Sequence, residues 1–353
     1  MLIHENFTGG NIRVLKQDGN VFYVENNLRD TTCDWFYWAF CVEGAAGKML
    51  TFKFRDTRLG YWGPAVSHDL RTWKWLGYKD RDSFTYTFSD EEDKVYFAHH
   101  MLYQPARFEA FASYNDVEIR TLALTEKGRK IPYIELSRDQ SKKIVLTARH
   151  HACESTGNYI LEGILDELIH NPLEGYSVFC VPFVDMDGVL DGDQGKNRFP
   201  HDHNRDYEPD KETIYSSVAA IRKYISEENV VFGFDFHSPY HSGGVRDTCF
   251  IVQKRKQELH QLNEFGELFE ENITSESFQY AHKNDYPPDF GWNQSTTPTF
   301  VSWVLEKEAS ELAFTLETAY FGTEDNIFTA EKVIETGRCF ARALRKYIKS
   351  RQL

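Results

Sequence analysis

The chain has 353 residues, 41% of them apolar and 15% aromatic, which suffices for two packed domains or for one large domain with an appendage. Acids outnumber bases 54 to 40, giving a formal charge of −14, and this argues against nucleic acid as a partner, since affinity for duplexes comes mainly from Lys and Arg neutralising phosphates. No apolar run reaches the roughly 18 residues of a membrane span, and the opening MLIHENFTGG carries Glu5 and no apolar core, so neither a span nor a secretory signal is expected.

In chain order, the first hundred residues read as short strands rich in Tyr, Phe, Trp, Val and Thr, separated by clusters of Gly, Asp and Asn. The candidates are Val21–Val24, Trp35–Val42, Met49–Phe54, Trp73–Leu76, Ser83–Phe88 and Val95–Ala98, and their spacing predicts an antiparallel sandwich. From about residue 105 the pattern alternates. Lys143–Ala148 is a buried-strand candidate, Asn158–His170 has helical spacing, Tyr176–Val184 is a strand and Lys211–Ile225 a helix with Ile214, Val218, Ile221 and Ile225 on one stripe. Asn229–Phe236 is again a strand, and Ala330–Lys349 closes the chain as a helix. Such alternation predicts an α/β sheet, with ligands at the carboxyl ends of its strands. The six cysteines are scattered without a Cys-x-x-Cys pair and read as free thiols of a cytoplasmic protein.

Four stretches bear chemistry. In LTARHHACEST, His151 and Glu154 stand three apart where a strand turns into a helix, and an imidazole with a carboxylate suits Zn²⁺. Alone, this pair also fits a strand end that does no chemistry. His237 follows the strand Asn229–Phe236 and can supply a third ligand, which would leave an open position for water. His241 competes for that place, although Pro239 disfavours a helix that would bring both to one metal. His150 points away from its neighbour in an extended segment and reads as a surface histidine. In GDQGKNRFPHDHNRDY the P-loop spacing fails, while Arg198, Asn204 and Arg205 offer either carboxylate recognition or surface ion pairs. In AFTLETAY, Glu317 interrupts an apolar run, so it needs a partner or a function: a general base beside a metal-bound water, or a salt-bridged strand residue.

His151-x-x-Glu154, Asn204-Arg205, His237 and Thr315-Leu316-Glu317 occur in the order shown by zinc carboxypeptidases of the M14 (funnelin) family. DMDGVLDGDQGKNRFPHDHNRDY and KVYFAHHMLYQPARFEAF resemble the cytosolic carboxypeptidase branch, which carries an additional N-terminal β-sandwich. The resemblance implies a mixed-sheet, zinc-carboxypeptidase-like catalytic domain over residues 105–353 and an antiparallel β-sandwich domain over 1–104. It implies one Zn²⁺ per chain on His151, Glu154 and His237, with Asp202 orienting His151. Arg198 would polarise the scissile carbonyl, Asn204 and Arg205 would hold the substrate's terminal carboxylate, and Glu317 would act as general base and then acid. The partner implied is a peptide or protein C-terminus; charge and hydropathy already argue against nucleic acid and membrane. The family's substrate-covering tyrosine falls in the interval of Tyr280 and Tyr286, and Thr296–Trp303 lacks the basic residue of tubulin-deglutamylating relatives. Cys153 reads as structural. Two other readings share the motifs: an amidase acting on an acylated amino acid, and a binding protein that retains the fold without catalysis.

Overall fold

The computed structural model describes residues 1–77, 80–241, 244–254 and 257–353. Its first part contains β1 (Leu2–His4), β2 (Arg13–Asp18), β3 (Val21–Glu25), β4 (Ala39–Glu43), β5 (Met49–Phe54), β6 (Ala65–Ser67), β7 (Lys74–Trp75), β8 (Ser83–Thr87) and β9 (Lys94–Ala98). They form two sheets, in the orders β1-β4-β9-β6-β7 and β2-β3-β5-β8. Neighbours run antiparallel except β3 and β5, which run parallel.

The sheets face each other because alternate residues are apolar. Along β5, Leu50, Phe52 and Phe54 are buried while Met49 and Lys53 are exposed. Phe52 meets Phe40 with ring centroids 4.9 Å apart, Phe84 at 5.0 Å and Phe97 at 5.7 Å, so rings from both sheets interlock. Truncating one of these rings to Ala costs about 3–5 kcal/mol. Of the expected strand Trp35–Val42, only the part from Ala39 pairs. Trp35–Tyr37 leaves the sheet, and side chains take over backbone hydrogen bonds of Trp35 and Tyr37. Asn26 Nδ2 donates to Trp35 O at 2.7 Å, and the Gln194 amide bonds both Tyr37 N and Tyr37 O at 2.9 Å.

The second part runs α1 (Pro105–Tyr114), β10 (Arg120–Leu124), β11 (Lys130–Leu136), β12 (Lys142–Ala148), α2 (Gly157–His170), β13 (Tyr176–Val181), α3 (Met186–Asp191), α4 (Ser216–Glu227), β14 (Val230–His237), β15 (Cys249–Val252), α5 (Leu259–Asn272), α6 (Phe300–Leu305) and β16 (Leu312–Thr318). A small hairpin, β17 (Gly322–Thr323) with β18 (Asn326–Ile327), precedes α7 (Ala330–Ser350). The large sheet is mixed, in the order β10-β11-β13-β12-β14-β16-β15. Its middle strands β13, β12, β14 and β16 are parallel, and β10, β11 and β15 are antiparallel. The parallel strands are buried on both faces, which explains their near-continuous apolar runs. Helices α2, α5 and α7 cover one face, and α4 and α6 cover the other.

The expected helix over Lys211–Ile225 starts only at Ser216. The Asp206 carboxylate accepts the N–H groups of Ile214 and Tyr215 at 2.9 Å each, which holds that stretch extended and leaves Ile214 exposed. Among the described residues, no helix is long and apolar enough to cross a membrane.

Candidate active site

Three parallel strands end at one place. In the register, Ala148 of β12 lies opposite Phe236 of β14, and His237 lies opposite Glu317 of β16. Past Ala148, Arg149 adopts φ +64° and breaks the extended chain. Its buried guanidinium donates to Ala152 O at 2.7 Å and to Tyr103 O at 3.1 Å, closing a turn. Glu154 N donates to His151 O at 3.1 Å within that turn, so the two side chains lie side by side before α2 begins.

His151, Glu154 and His237 converge in a buried group whose ligand atoms all lie within 4.8 Å of one another. His151 Nδ1 is 2.9 Å from Glu154 Oε1, His237 Nδ1 is 2.6 Å from Glu154 Oε2, and the two Nδ1 atoms are 3.2 Å apart. Donors bound tetrahedrally to zinc stand about 3.3 Å apart, so this group is spaced for one small cation. Two imidazole nitrogens aimed at each other are also unfavourable unless a proton or a cation lies between them. Burial would raise the Glu154 carboxyl, but His151 and His237 hold it well below the carboxylate range. Burial would lower His237, but Asp235 and Glu154 on its two nitrogens hold it well above the usual histidine value. The site therefore calls for positive charge at its centre, and the donor set fits a divalent metal ion.

The outer nitrogens have carboxylate partners. His237 Nε2 is 2.7 Å from Asp235 Oδ2, and His151 Nε2 is 3.4 Å from Asp202 Oδ1. Asp202 also caps the short turn His203–Arg205, accepting Asn204 N at 3.1 Å. Asp235 was not singled out by the motifs, although strand alternation puts residues 235 and 237 on one face. His150 corrects an expectation. It is fully buried, with Nδ1 2.8 Å from Asp235 Oδ1 and Nε2 2.9 Å from Tyr207 Oη, because the turn at Arg149 rotates it inward.

Glu317 is buried beside this group, and its Oε2 has no hydrogen-bond partner among the described residues. Burial pushes its carboxyl up to about 7. Two hollows meet here, both lined by Lys196, Trp292 and Glu317. The larger, about 210 Å³, runs to Trp35, Tyr240 and Arg246, so the first part of the chain contributes Trp35 to its wall. The smaller, about 60 Å³, contains His151, His237, Asn204, Arg205 and Lys254. The Asn204 amide lies 3.1 Å from His237 Nε2, its Oδ1 accepts Phe300 N at 3.1 Å, and Arg205 donates to Asn204 O at 3.1 Å. No spacing in the sequence ties Lys254, Trp292 or Tyr240 to the motifs, and Lys196 stands out there only as the lysine of a failed P-loop pattern.

Arg198 does not join this group, contrary to expectation. Its guanidinium is held by Asp185 at 2.8 Å and by Asp30 and Asp193 at 3.0 Å each, and it lines neither hollow. His241 is also elsewhere: it stacks on Phe36 at 4.1 Å, with Nδ1 3.1 Å from His99 Nε2. Tyr280 is buried against Phe269 and donates to Asp285 at 2.7 Å, while Tyr286 stacks behind Trp292 at 5.0 Å, and neither lines a hollow. Cys153 Sγ accepts the Trp35 indole N–H at 3.3 Å and sits in the apolar layer under that ring. Thr299, from the stretch without Lys or Arg, lines the smaller hollow, where Lys254 supplies a cation from beyond β15.

No family model matches the chain. A metallo-carboxypeptidase from Pseudomonas aeruginosa, solved in complex with (2-guanidinoethylmercapto)succinic acid, is 21% identical, covers 99% of both chains and superposes with a TM-score of 0.80. A metallo-carboxypeptidase from Burkholderia cenocepacia is 18% identical over 99% of both chains, with a TM-score of 0.78. Among curated proteins, cytosolic carboxypeptidase 6 of Caenorhabditis elegans is 19% identical over 91% of this chain and 79% of its own length. Cytosolic carboxypeptidase 2 of Xenopus tropicalis is 25% identical over 44% of this chain, and the match spans only about a fifth of that protein (19%). The chain has the fold of the metallo-carboxypeptidases, and the curated proteins it resembles include cytosolic carboxypeptidases.

Proposed function

We propose that this chain is a zinc-dependent carboxypeptidase that removes the C-terminal residue of peptides or proteins in the cytoplasm. The observation that carries this reading is the meeting of His151, Glu154 and His237 beside a buried Glu317 whose Oε2 has no protein partner. His151, Glu154 and His237 would hold one Zn²⁺, and when bound it supplies Lewis acidity to a water and to the scissile carbonyl. Asp202 and Asp235 fix the imidazoles through their outer nitrogens. Glu317 takes a proton from the attacking water and returns it to the leaving amine, splitting the C–N bond into a carboxylate and a free amino acid. Arg205 and Asn204 line the smaller hollow, where the guanidinium fork and the amide suit the substrate's terminal carboxylate. The six cysteines are free, in keeping with a reducing compartment. Division into a sandwich domain (1–104) and a catalytic domain (105–353) belongs to the same reading.

The test combines metal analysis with paired peptides. One zinc per chain is expected, with release of the last residue from peptides bearing a free C-terminus and none from the same peptides amidated. Glu317→Gln is expected to keep its zinc and lose on the order of 10²–10⁴-fold in turnover. Equal cleavage of free and amidated peptides would overturn the exopeptidase reading, and wild-type turnover by Glu317→Gln would remove that residue from the chemistry.

A further inference from the structure

The loop between α3 and the turn His203–Arg205 carries two cations with opposite fates. Arg198 is enclosed by three carboxylates, whereas Lys196 has no carboxylate within 4.0 Å among the described residues. Lys196 lines both hollows, and its Nζ lies 3.4 Å from His151 Nε2.

The loop fixes the backbone that carries Lys196. Asp30, from the first part of the chain, accepts Gln194 N at 2.9 Å, Gly195 N at 2.8 Å and Arg198 Nε at 3.0 Å. Gln194 O accepts Cys153 N at 3.2 Å, fastening the loop to the turn that bears His151 and Glu154. Gly195 has φ +77° and sits so close that a Cβ there would lie 2.0 Å from Ala152 N. The residues on either side of Lys196 are thus pinned, and its amine is the charge the loop delivers to the cleft.

On the carboxypeptidase reading above, we propose that Lys196 is the residue that meets the scissile carbonyl oxygen and stabilises the negative charge that develops on it during water attack. Arg205 and Lys254 stand with the smaller hollow, while Lys196 borders both hollows at Glu317, where the bond to be cut must lie. A cation fixed before the reaction stabilises developing charge without reorganising, and removing one such donor costs on the order of 10²–10³-fold in turnover. Arg198, paired three times over, acts as the loop's anchor.

The experiment compares wild type with Lys196→Met and Lys196→Arg on a peptide with a free C-terminus. Zinc content and thermal midpoint are measured alongside. For Lys196→Met, kcat is expected to fall about 10²–10³-fold with KM changed by less than about threefold, and Lys196→Arg to recover part of the loss. A phosphonate peptide mimicking the tetrahedral state should lose affinity for Lys196→Met by a similar factor, while the released amino acid binds as before. A Lys196→Met enzyme with wild-type kcat, or one whose KM rises at constant kcat, overturns the role of Lys196. A wild-type chain that holds zinc yet cleaves no free-C-terminus peptide overturns the carboxypeptidase reading instead.

Discussion

Two clusters of buried and half-buried histidines among the described residues differ in what stands behind the rings. In the first, His151, His237 and His150 each face a carboxylate: Glu154 and Asp202, Glu154 and Asp235, and Asp235 respectively. In the second, His99 Nδ1 lies 3.1 Å from His100 Nδ1, His99 Nε2 lies 3.1 Å from His241 Nδ1, and His100 Nε2 ends on Ser155 Oγ at 2.8 Å. No carboxylate borders that second chain among the described residues; its packing is aromatic, with Phe36, Tyr320 and Phe321 against His99. Burial first, then neighbouring positive groups, lowers all three of its imidazoles; burial also lowers His150 despite Asp235, and only His237, with a carboxylate on each nitrogen, is raised. Buried imidazoles alone therefore do not make a cation site. Carboxylates do, because they orient the rings, increase their basicity and supply the negative charge a metal ion needs.

The largest effect should come from exchanging members between the groups. His151→Ala leaves two donors and is expected to abolish stoichiometric zinc binding, measured as metal per chain after gel filtration. His241→Ala, though equally a histidine of this region, should keep full metal. Full zinc in the first variant or its loss in the second would erase the distinction. A smaller effect tests the carboxylates. Asp235→Asn keeps the size of the side chain but weakens the partner of His237, and metal affinity should fall about 10–100-fold in a chelator competition. Unchanged affinity would mean that the outer carboxylate is incidental.

Much of this arrangement was legible in residue order, and the rest for stated reasons was not. Strands β12 and β14 and helices α2 and α7 follow from apolar periodicity, which the sheet and its covering helices preserve. The convergence of His151, Glu154 and His237 follows from their placement at neighbouring strand ends. His150 faces inward because a single left-handed residue, Arg149, reverses the alternation of an extended segment. Spacing cannot separate Arg198 from Lys196, because it does not reveal a partner as distant in the chain as Asp30. Asp235 was within reach, since it precedes His237 by one strand repeat. Trp35 entered the cleft wall only because Asn26 and Gln194 replaced its segment's ladder bonds.

The smallest effect concerns the second histidine group and stability. His241 is lowered to about 3 by burial and then by Arg58 and Arg81, and its ring faces His99 and Phe36. The unfolded chain binds a proton at this imidazole below about pH 6.5, whereas the folded chain does not until much lower. Stability linked to His241 is thus complete above pH 6.5 and declines as pH falls from there toward 3. His241→Phe retains a flat ring on Phe36 and removes the titration. Urea unfolding of the two chains at pH 7, 6, 5 and 4 should show the wild type losing on the order of 1–3 kcal/mol more than the variant over that range. Comparing the chains at each pH cancels the acid loss of the metal site, which both share. Parallel curves would show that His241 titrates normally in the folded chain, and would leave burial without carboxylates unable to explain the contrast between the two groups.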